Sequence, residues 1–448
     1  MPKKVLFIFP SNEPGFPLQL AALSGYIKAH GHESRFIQLV TEDLMRKKHL
    51  DTIDECIKDF HPDYLGFSGY EMAFPWIKQI CEHVKTNNPE IKTIIGGYYP
   101  TLAPTDVISQ PNVDIICIGE GELPLEELLD SDGTKTDIKN LWFKTPEKII
   151  KNSVRPLMEN LDELPFPDRD FLDYQAHLDL SKKGDRCLKV MATRGCPYQC
   201  TYCSNKYLRA VYPNQEKYLR FRSPENVIEE IKMLKQKYQF DTVGFHDDNL
   251  TLDIDWLKKF LDLYKKEIAM PFYCASRVER CTDEILDMLK DAGCYLILLG
   301  IESGNENYRK EMMKRYMSNQ TIIDAFRRAR ERKILTWSFT MVGLPNETRK
   351  MLIDTLVLNV KCRPDFVMAS IFYPLKGTEL GDLCYKNNWV NQERKDKVTS
   401  YAWDTILDHP YLSRWEIRVA KYINAFTAMG SPFFWKIAFG RLKEWFIR

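Results

Sequence analysis

Three cysteines near the middle of the chain have the residue type and spacing to bind a metal centre. Cys196, Cys200 and Cys203 are separated by three and then two residues, and they follow a β-like run over Cys187–Thr193. Three thiolates this close in sequence can hold three corners of a [4Fe–4S] cluster, which normally takes four cysteines. No fourth cysteine lies nearby, so one iron would stay open to a ligand that is not protein, as in a catalytic metal site.

Two other interpretations of the triplet are a zinc site and three unrelated thiols. Zinc requires a fourth Cys or His at short spacing, and the nearest downstream histidine is His246. The stretch resembles the radical S-adenosylmethionine (SAM) family, whose signature is CxxxCxΦC with an aromatic Φ, here Tyr202. The resemblance implies that the open iron binds the amino and carboxylate groups of SAM, and that one electron cleaves SAM to a 5′-deoxyadenosyl radical.

The composition is that of a soluble globular protein. The chain has 448 residues, 44% of them hydrophobic and 28% charged, with a net charge of +1, so we expect about three domains and no nucleic-acid partner. The twelve cysteines show no disulfide-like spacing, and a reducing cytoplasm suits free thiols and an oxygen-sensitive cluster. We expect neither a signal peptide nor a membrane span, and hence a cytoplasmic location.

Residues 1–130 predict a Rossmann-like domain. Short apolar runs alternate with amphipathic stretches such as Leu18–Ala29 and Phe74–Thr86. The strand-like runs are Val5–Phe9, Ser34–Leu39, Tyr64–Ser68, Thr93–Ile95 and Asp114–Ile118. Five such βα repeats predict a doubly wound parallel sheet, in which ligands bind at the carboxyl ends of the strands.

Glycine and polar residues fall at those predicted strand ends, where glycine permits close backbone approach to a bulky ligand. They are Ser68, Gly69, Gly96, Gly97, Tyr98, Tyr99, Gly119, Glu120, Gly121 and Glu122. Ahead of a radical SAM core, this order resembles the cobalamin-binding domain of the B12-dependent radical SAM enzymes, which implies that these residues contact cobalamin.

Two departures from that resemblance affect the predicted cobalamin site. The DxHxxG motif that supplies a cobalt-binding His in other cobalamin proteins is absent, and Tyr99 stands where relatives often have His. We therefore expect cobalamin with its own base detached and no protein His on cobalt. The alternative is a Rossmann-like domain that has lost cobalamin and only supports the following domain or docks a partner.

Residues 131–186 are predicted to be a linker, with a small hairpin of Leu141–Phe143 and Lys148–Ile150 and an extended, proline-rich stretch over 161–170. Residues 187–375 then repeat a βα pattern, which predicts a six-stranded (β/α)6 partial TIM barrel. The strand-like runs are Cys187–Thr193, Thr242–His246, Phe272–Ser276, Tyr295–Gly300, Thr336–Val342 and Phe366–Phe372. Ser223, Thr282 and Ser318 are predicted helix N-caps.

Polar residues follow five of these strands, at the end where barrel enzymes collect their chemistry. By resemblance, Asp247 and Asp248 hold the SAM amine, although an Asx turn that caps the next helix is an open alternative for one of them. By the same resemblance, Arg277 pairs with the SAM carboxylate, with a structural ion pair as the open alternative. Glu302 and Ser303 lie in a Gly-x-Glu-Ser-Gly segment and would bond the polar groups of SAM. Pro345 lies in a Gly-Leu-Pro-x-Glu-Thr turn that borders the adenine, and the sixth strand ends in a Pro-x-x-Gly-Thr motif. No residue is assigned to proton transfer.

Residues 376–448 are predicted to form a helical C-terminal segment without strands. Positions 414–448 carry a net charge of +5, and the stretch Pro432–Arg448 mixes large apolar residues with basic ones. Such a helix is compatible with three roles: peripheral contact with an anionic membrane, gathering of a hydrophobic substrate, or packing over the barrel mouth. No further cysteine cluster appears, so no auxiliary iron–sulfur centre is expected.

Taken with the resemblance, these features predict a B12-dependent radical SAM enzyme, most simply a methyltransferase that moves a methyl group from SAM through methylcobalamin to an unactivated carbon. The substrate would be a small molecule or a lipid-like natural product, and a flavodoxin or ferredoxin type of protein would supply electrons. The alternatives are a cyclase, ring-rearranging or oxidative enzyme with the same cofactors, and a non-catalytic metal-binding interaction protein.

Overall fold

The computed structural model describes residues 1–11, 15–40, 47–181, 184–398, 400 and 404–426. The chain divides into two compact units. The first contains Met1–Leu180, Cys203–Arg220 and Leu375–Thr378, and the second contains Ser181–Tyr202, Phe221–Pro374 and Glu379–Arg448. The prediction for Pro432–Arg448 lies outside the described residues. None of the helices in the described ranges is both long and apolar enough to cross a membrane.

The first unit contains a seven-stranded sheet. Its strands are β1 (Lys4–Ser11), β2 (Glu33–Val40), β3 (Tyr64–Ser68), β4 (Lys92–Gly96), β5 (Ile115–Cys117), β6 (Leu141–Lys144) and β7 (Ile149–Lys151). The strand order is β2-β1-β3-β4-β5-β6-β7, and the first five pair in parallel, which confirms the predicted parallel sheet. The predicted hairpin forms too, and it extends this sheet because β6 pairs antiparallel with β5.

Helices pack against this sheet because its central strands are apolar throughout. Val5, Leu6, Phe7 and Ile8 are all at most 2% exposed, a continuous buried run that is typical of parallel strands covered on both faces. The helices of this unit are α1 (Leu18–Ala29), α2 (Lys47–Phe60), α3 (Phe74–Asn87), α4 (Tyr98–Leu102), α5 (Pro104–Ile108), α6 (Glu122–Asp130), α7 (Tyr174–Leu178) and α8 (Ser204–Ala210).

The second unit contains the predicted partial barrel. The strands from residue 187 onward are β8 (Cys187–Val190), β9 (Thr193–Arg194), β10 (Arg220–Phe221), β11 (Thr242–Phe245), β12 (Phe272–Ser276), β13 (Cys294–Glu302), β14 (Leu335–Val342) and β15 (Phe366–Ile371). Six of them form one sheet in the order β15-β14-β13-β12-β11-β8, with every neighbouring pair parallel. This is the fold of an open (β/α)6 half-barrel.

Helices alternate with these strands, and three begin where the sequence predicted. They are α9 (Pro224–Lys237), α10 (Ile254–Glu267), α11 (Asp283–Asp291), α12 (Glu306–Glu311), α13 (Asn319–Glu331), α14 (Arg349–Cys362), α15 (Glu379–Lys386), α16 (Gln392–Lys397) and α17 (Arg414–Phe426). The side chains of Ser223, Thr282 and Ser318 each accept a hydrogen bond from a backbone N–H in the first turn of α9, α11 and α13. The described part of the C-terminal segment is helical, with one isolated bridge between Val390 and Leu407.

Two sets of contacts show which face of the half-barrel is covered by helices. Phe245 of β11 packs edge-on against Phe260 and Tyr264 of α10, and Ser338 of β14 hydrogen-bonds to Asn359 of α14. Because successive side chains of a strand point to opposite faces, the neighbours of Phe245 and Ser338 lie on the inner face. We call the space in front of that inner face the lumen.

Candidate cofactor-binding sites

The loop after β8 carries the first two cysteines of the triplet and is tied down within the second unit. Thr201 is fully buried; its Oγ1 donates to the Met312 carbonyl at 2.5 Å and its carbonyl accepts from the Leu380 N–H at 3.2 Å. The neighbouring Cys200 is therefore buried at a defined position. Cys203 is the first residue of the stretch that belongs to the first unit.

Arg277, at the end of β12, contacts this loop directly. Its Nη1 donates to Cys200 Sγ at 3.5 Å, its Nη2 donates to Glu279 at 2.6 Å, and its guanidinium stacks on the Tyr198 ring at 3.7 Å. This ion pair with Glu279 is the structural alternative that the sequence analysis left open for Arg277. Pairing with the SAM carboxylate stays a prediction.

Thiols are the ligands that iron–sulfur clusters use, so the donor set suits a cluster. Burial raises the pKa of Cys196 to about 11, and a cluster would have to displace that proton because the ligand is the thiolate. In the described ranges, no group of three His, Cys, Asp or Glu side chains is arranged to hold a metal ion.

The two aspartates after β11 have different surroundings. Oδ1 of Asp247 accepts hydrogen bonds from the backbone N–H groups of Ala192 and Thr193 and from the Thr193 hydroxyl, at 2.5–3.0 Å. Its Oδ2 is buried without a hydrogen-bond partner among the described residues, and burial raises the pKa of Asp247 to about 6. Asp248 is exposed, and its charge adds to the effect of burial in raising the pKa of Cys196. Asp247 thus fastens the start of the cysteine loop through one carboxylate oxygen, while the other makes no hydrogen bond among the described residues.

The end of β13 is distorted around Glu302. The register with β14 shifts between Gly300 and Glu302, and Glu302 has a left-handed φ of +66°. A side chain at position 300 would collide with the Glu302 carboxylate, so the glycine leaves room for that carboxylate. Burial raises the pKa of Glu302, whereas the charge of Arg315 and a hydrogen bond with Tyr202 act to lower it.

Arg315 organises this corner, and the sequence analysis missed it. Its Nη2 donates to the Gly300 carbonyl at 2.6 Å, its Nη1 donates to Tyr202 Oη at 3.2 Å, and it lies 3.9 Å from Glu302. It therefore links the aromatic residue of the cysteine motif to the β13 bulge. Its sequence position, beyond α12, carries no signal that would have revealed this role.

Ser303 and Gly304 continue the bulge into a tightly packed turn. Ser303 is fully buried, and its carbonyl accepts from Nη1 of the buried Arg309 at 2.6 Å. The N–H of Gly304 donates to Thr355 Oγ1 at 2.8 Å, and a Cβ at Gly304 would collide with the backbone of α14. The Gly-x-Glu-Ser-Gly segment therefore has structural demands at both glycines and at the backbone of Ser303.

Pro345 lies in a turn that a buried carboxylate holds together. Its carbonyl accepts from Tyr308 Oη at 2.6 Å. Oε2 of Glu347 accepts from the backbone N–H groups of Gly343 and Leu344 at 2.7 and 3.2 Å, and burial raises the pKa of Glu347 to about 8. The sequence analysis quoted this turn without giving Glu347 a role; a carboxylate four residues after a strand-ending glycine was the available signal.

In the first unit, the strand ends consist mainly of backbone. The Gly69 N–H donates to the Gly96 carbonyl at 2.6 Å, and the Tyr99 N–H donates to the Gly69 carbonyl at 3.2 Å. Gly97 has φ of +97°, and a Cβ there would lie 2.8 Å from Gly69 O and 3.2 Å from the hydroxyl of Ser68. At Gly96 a Cβ would meet nothing closer than 3.6 Å. Glycine is therefore required at position 97 by the packing of these loops, while position 96 has room.

The Gly119–Glu122 turn is occupied by contacts from the same unit. Tyr212 Oη accepts from the Glu120 N–H at 2.8 Å, and it fills the space where a Cβ of Gly119 would lie. The Glu120 carboxylate forms a two-point ion pair with Arg220, at 2.6 and 3.0 Å. Gly121 precedes α6, whose first residue is the buried Glu122. These partners lie about a hundred residues further along the chain and were not predicted.

Tyr98 and Tyr99 begin α4. Tyr99 is buried against the Phe74 ring, with a centroid distance of 5.1 Å, and burial raises the pKa of its hydroxyl. The tyrosine that stands in place of a histidine is therefore a packed side chain of the first unit.

Comparisons with known proteins agree with these two folds. A model of the radical SAM superfamily matches residues 190–358, and a model of the B12 binding domain matches residues 8–129. The chain is 28% identical over 402 residues to the uncharacterized methyltransferase PH0819 of Pyrococcus horikoshii, covering 86% of this chain and 84% of that protein. It is 26% identical to an anaerobic magnesium-protoporphyrin IX monomethyl ester cyclase of Rubrivivax gelatinosus, covering 84% and 69%.

A solved structure shows the same fold. The radical SAM methyltransferase TsrM of Kitasatospora setae, with cobalamin and a [4Fe–4S] cluster bound, superposes with a TM-score of 0.69 at 16% identity, covering 86% of this chain and 75% of that one.

The half-barrel with its cysteine loop defines a radical SAM enzyme. Because a B12-binding domain precedes it, the protein belongs to the B12-dependent radical SAM enzymes. The cofactors that the sequence predicted, a [4Fe–4S] cluster, SAM and cobalamin, are those of this family.

Proposed function

We propose that this protein is a methyltransferase that moves a methyl group from SAM, by way of cobalamin, to an unactivated carbon of a small molecule. The observation that carries the proposal is the presence of both domains in one chain, each with its ligand-facing strand ends built as described above. The relation to the Pyrococcus protein, called a methyltransferase, and the fold shared with TsrM favour methyl transfer.

When bound, the cluster and SAM supply the radical that activates the substrate, and cobalamin carries the methyl group. Cys196, Cys200 and Cys203 would ligate the cluster. The free Oδ2 of Asp247 suits an ammonium ion, and the Glu302 carboxylate offers a second acceptor. Asp247 is buried and Glu302 is partly buried, which strengthens a charge-assisted hydrogen bond. Arg277, Ser303 and Pro345 complete the proposed SAM contacts, and Tyr202 reaches this corner through Arg315.

The first unit would bind cobalamin at the glycine-rich strand ends. The half-buried backbone at Gly96 and Gly97 allows a large flat ligand to approach closely, with the buried Gly69 behind it, and the turn from Gly119 to Glu122 borders the same strand ends. Tyr99 packs against Phe74. We therefore propose that cobalamin is held with its own base detached and without a protein histidine on cobalt.

Further parts of the proposal concern partners. A flavodoxin or ferredoxin type of protein would supply the electron for SAM cleavage in the cytoplasm. Contact with a membrane would involve the stretch Pro432–Arg448, whose basic and apolar composition suits an anionic surface.

The deciding experiment is anaerobic reconstitution with iron, sulfide and hydroxocobalamin, followed by incubation with SAM that carries a deuterated methyl group. We expect the absorption of a cluster and of bound cobalamin, formation of 5′-deoxyadenosine under reduction, and deuterated methyl on the cobalamin. SAM cleavage without methylated cobalamin would contradict the methyltransferase. Failure to bind any cluster would favour a non-catalytic metal-binding interaction protein.

A second candidate is a cyclase or another oxidative enzyme with the same cofactors, which the relation to the Rubrivivax cyclase favours. The two candidates differ in the fate of the methyl group. A cyclase would form 5′-deoxyadenosine without consuming methylcobalamin, so the labelled methyl on cobalamin would not decrease when extracts containing the substrate are added.

A further inference from the structure

The lumen of the half-barrel has two chemically different walls. On the strands β8, β11 and β12, the inner face carries Lys189, His246 and Tyr273; we call these residues the polar wall. On β13 and β14, the inner face carries Leu298, Trp337 and Phe339, which we call the apolar wall. Neither wall is part of the proposed cofactor contacts.

The polar wall is placed by the alternation of its strands. Leu188 and Val190 are fully buried, which leaves the half-buried Lys189 between them on the inner face. On β11, Phe245 packs against α10, so the following residue, His246, lies on the inner face as well. His246 is exposed, yet its surroundings exclude enough water to lower its pKa to about 4, with help from the Lys189 charge.

Tyr273 completes this wall and connects its members. A Cβ at Gly244 would collide with the Tyr273 ring, so the glycine allows the ring to lie across β11. From there, Tyr273 Oη lies 2.8 Å from His246 Nε2. His246 is therefore neutral near pH 7 and anchored by one ring nitrogen. Next to the Lys189 ammonium, these groups suit an anion or a strong hydrogen-bond acceptor.

The apolar wall consists of large, half-buried rings. Trp337 and Phe339 are stacked at 6.1 Å with an angle of 5° between their planes, and Trp337 also contacts Phe366 of β15 at 5.5 Å. Ser338 between them points to α14, which places both rings on the inner face. Leu298 is the register partner of Trp337. These side chains form an apolar surface, against which rings and aliphatic chains can pack.

We propose that the lumen selects an amphipathic small-molecule anion, whose negatively charged group binds at Lys189 and His246 while its flat or apolar body packs against Trp337 and Phe339. This assignment of the substrate class rests on the proposed function, because it takes the lumen as the place of the methyl acceptor. Charge complementarity decides the orientation, since the positive charge lies on one wall only. Lys189 and Trp337 are then specificity-determining residues.

Three probes of defined chemistry test this assignment. Indole-3-acetate is an aromatic anion, tryptamine is an aromatic cation of similar size, and propionate is an anion without a ring. Their binding to the full-length, cluster-reconstituted protein is measured by isothermal titration under anaerobic conditions. We expect indole-3-acetate to bind roughly tenfold or more tightly than either of the others, because it alone uses both walls.

Two variants and a control complete the test. Lys189→Met should remove most of the preference for indole-3-acetate over tryptamine. Trp337→Leu should weaken the binding of both of these aromatic probes. Lys361→Met, on the outside of α14, is the matched control and should bind the probes like the unaltered protein. Cluster absorption and 5′-deoxyadenosine formation without substrate verify that each variant is folded.

The proposal would be overturned by equal affinity for the anion and the cation, by no saturable binding of indole-3-acetate, or by an unchanged preference in Lys189→Met. Its failure is distinguishable from failure of the methyltransferase. The probes report binding alone, whereas the methyltransferase is tested by the label on cobalamin.

Discussion

The carboxyl ends of the strands differ in composition between the two sheets. In the first unit they consist of glycine backbone: Gly69, Gly96 and Gly97 hydrogen-bond or contact one another directly. In the second unit they consist of buried charged side chains, among them Asp247 and Glu302. A backbone edge suits a large ligand held by shape, and a charged edge suits a small zwitterion held by specific pairing.

The difference also predicts how each edge responds to mutation. A glycine edge responds to added volume, because loops within hydrogen-bonding distance leave no room for a methyl group at Gly97. A charged edge responds to a loss of charge without change of shape, because the burial of Asp247 and Glu302 makes their electrostatic interactions strong. The following predictions test this contrast, from the largest expected effect to the smallest.

The largest effect is expected for Cys200→Ala, because each cluster ligand is a covalent requirement. The variant should contain no intact [4Fe–4S] cluster and form no 5′-deoxyadenosine. Iron and sulfide content, absorption and the product assay measure this. Cys56→Ala, at a half-buried thiol of α2, is the control and should keep its cluster. Unaffected SAM cleavage in Cys200→Ala would contradict the proposed site.

Gly97→Ala should destabilise the first unit by roughly 1–3 kcal/mol, the usual range for a residue with a Cβ in a strained backbone region. Its new methyl group would in addition press on Gly69 O. Thermal unfolding and retained cobalamin are the measurements. Gly96→Ala is the matched control, since a methyl group fits there. If Gly96→Ala loses cobalamin while its stability stays unchanged, that result would show that cobalamin occupies the space beside Gly96.

Glu302→Gln keeps the shape of the β13 bulge and removes the charge. We expect SAM to bind roughly tenfold more weakly, since a hydrogen bond to a charged group contributes about 1.5–3 kcal/mol. Isothermal titration of the reconstituted protein checks this, with Glu311→Gln, at an exposed position of α12, as the control. Equal SAM affinity in Glu302→Gln would mean that the charge serves only to pair with Arg315.

The smallest effect is a change in pH dependence from Glu347→Gln. The pKa of Glu347 is about 8 in the folded protein, above the ordinary value of 4.5, so the folded state binds the proton more tightly than the unfolded state. This carboxyl therefore contributes most stability below pH 4.5, and the contribution is lost as the pH rises through about 8. Glu347→Gln should gain stability relative to the unaltered protein between pH 5.5 and 8.5, by about 1 kcal/mol or more.

Melting temperatures of both proteins at those two pH values decide this prediction. An equal change with pH in the two proteins would show that Glu347 is ionised throughout, with a hydrogen-bonding role only.

Much of the fold could be predicted because its signals are local. Short apolar runs between amphipathic stretches predicted the strands of both sheets, and single side chains such as Ser223 and Thr282 predicted where helices begin. The cysteine spacing predicted the class of enzyme for the same reason, since the three proposed ligands of the cluster lie within eight residues.

Contacts between distant parts of the chain could not be predicted in this way. Whether Tyr212 fills the space beside Gly119, or Arg315 reaches the Gly300 carbonyl, depends on the path of several intervening elements, and no local pattern encodes that path.

The sequence by itself therefore determined the elements, their order and the chemical identity of the cysteine motif, because each depends on residues that are neighbours in the chain. Only the tertiary structure decided which side chains share a surface. Lys189, His246 and Tyr273 meet because three strands align in register, and Gly244 provides the space for one ring. That register comes from the packing of whole helices on the sheet, so the two walls of the lumen became visible only in the folded chain.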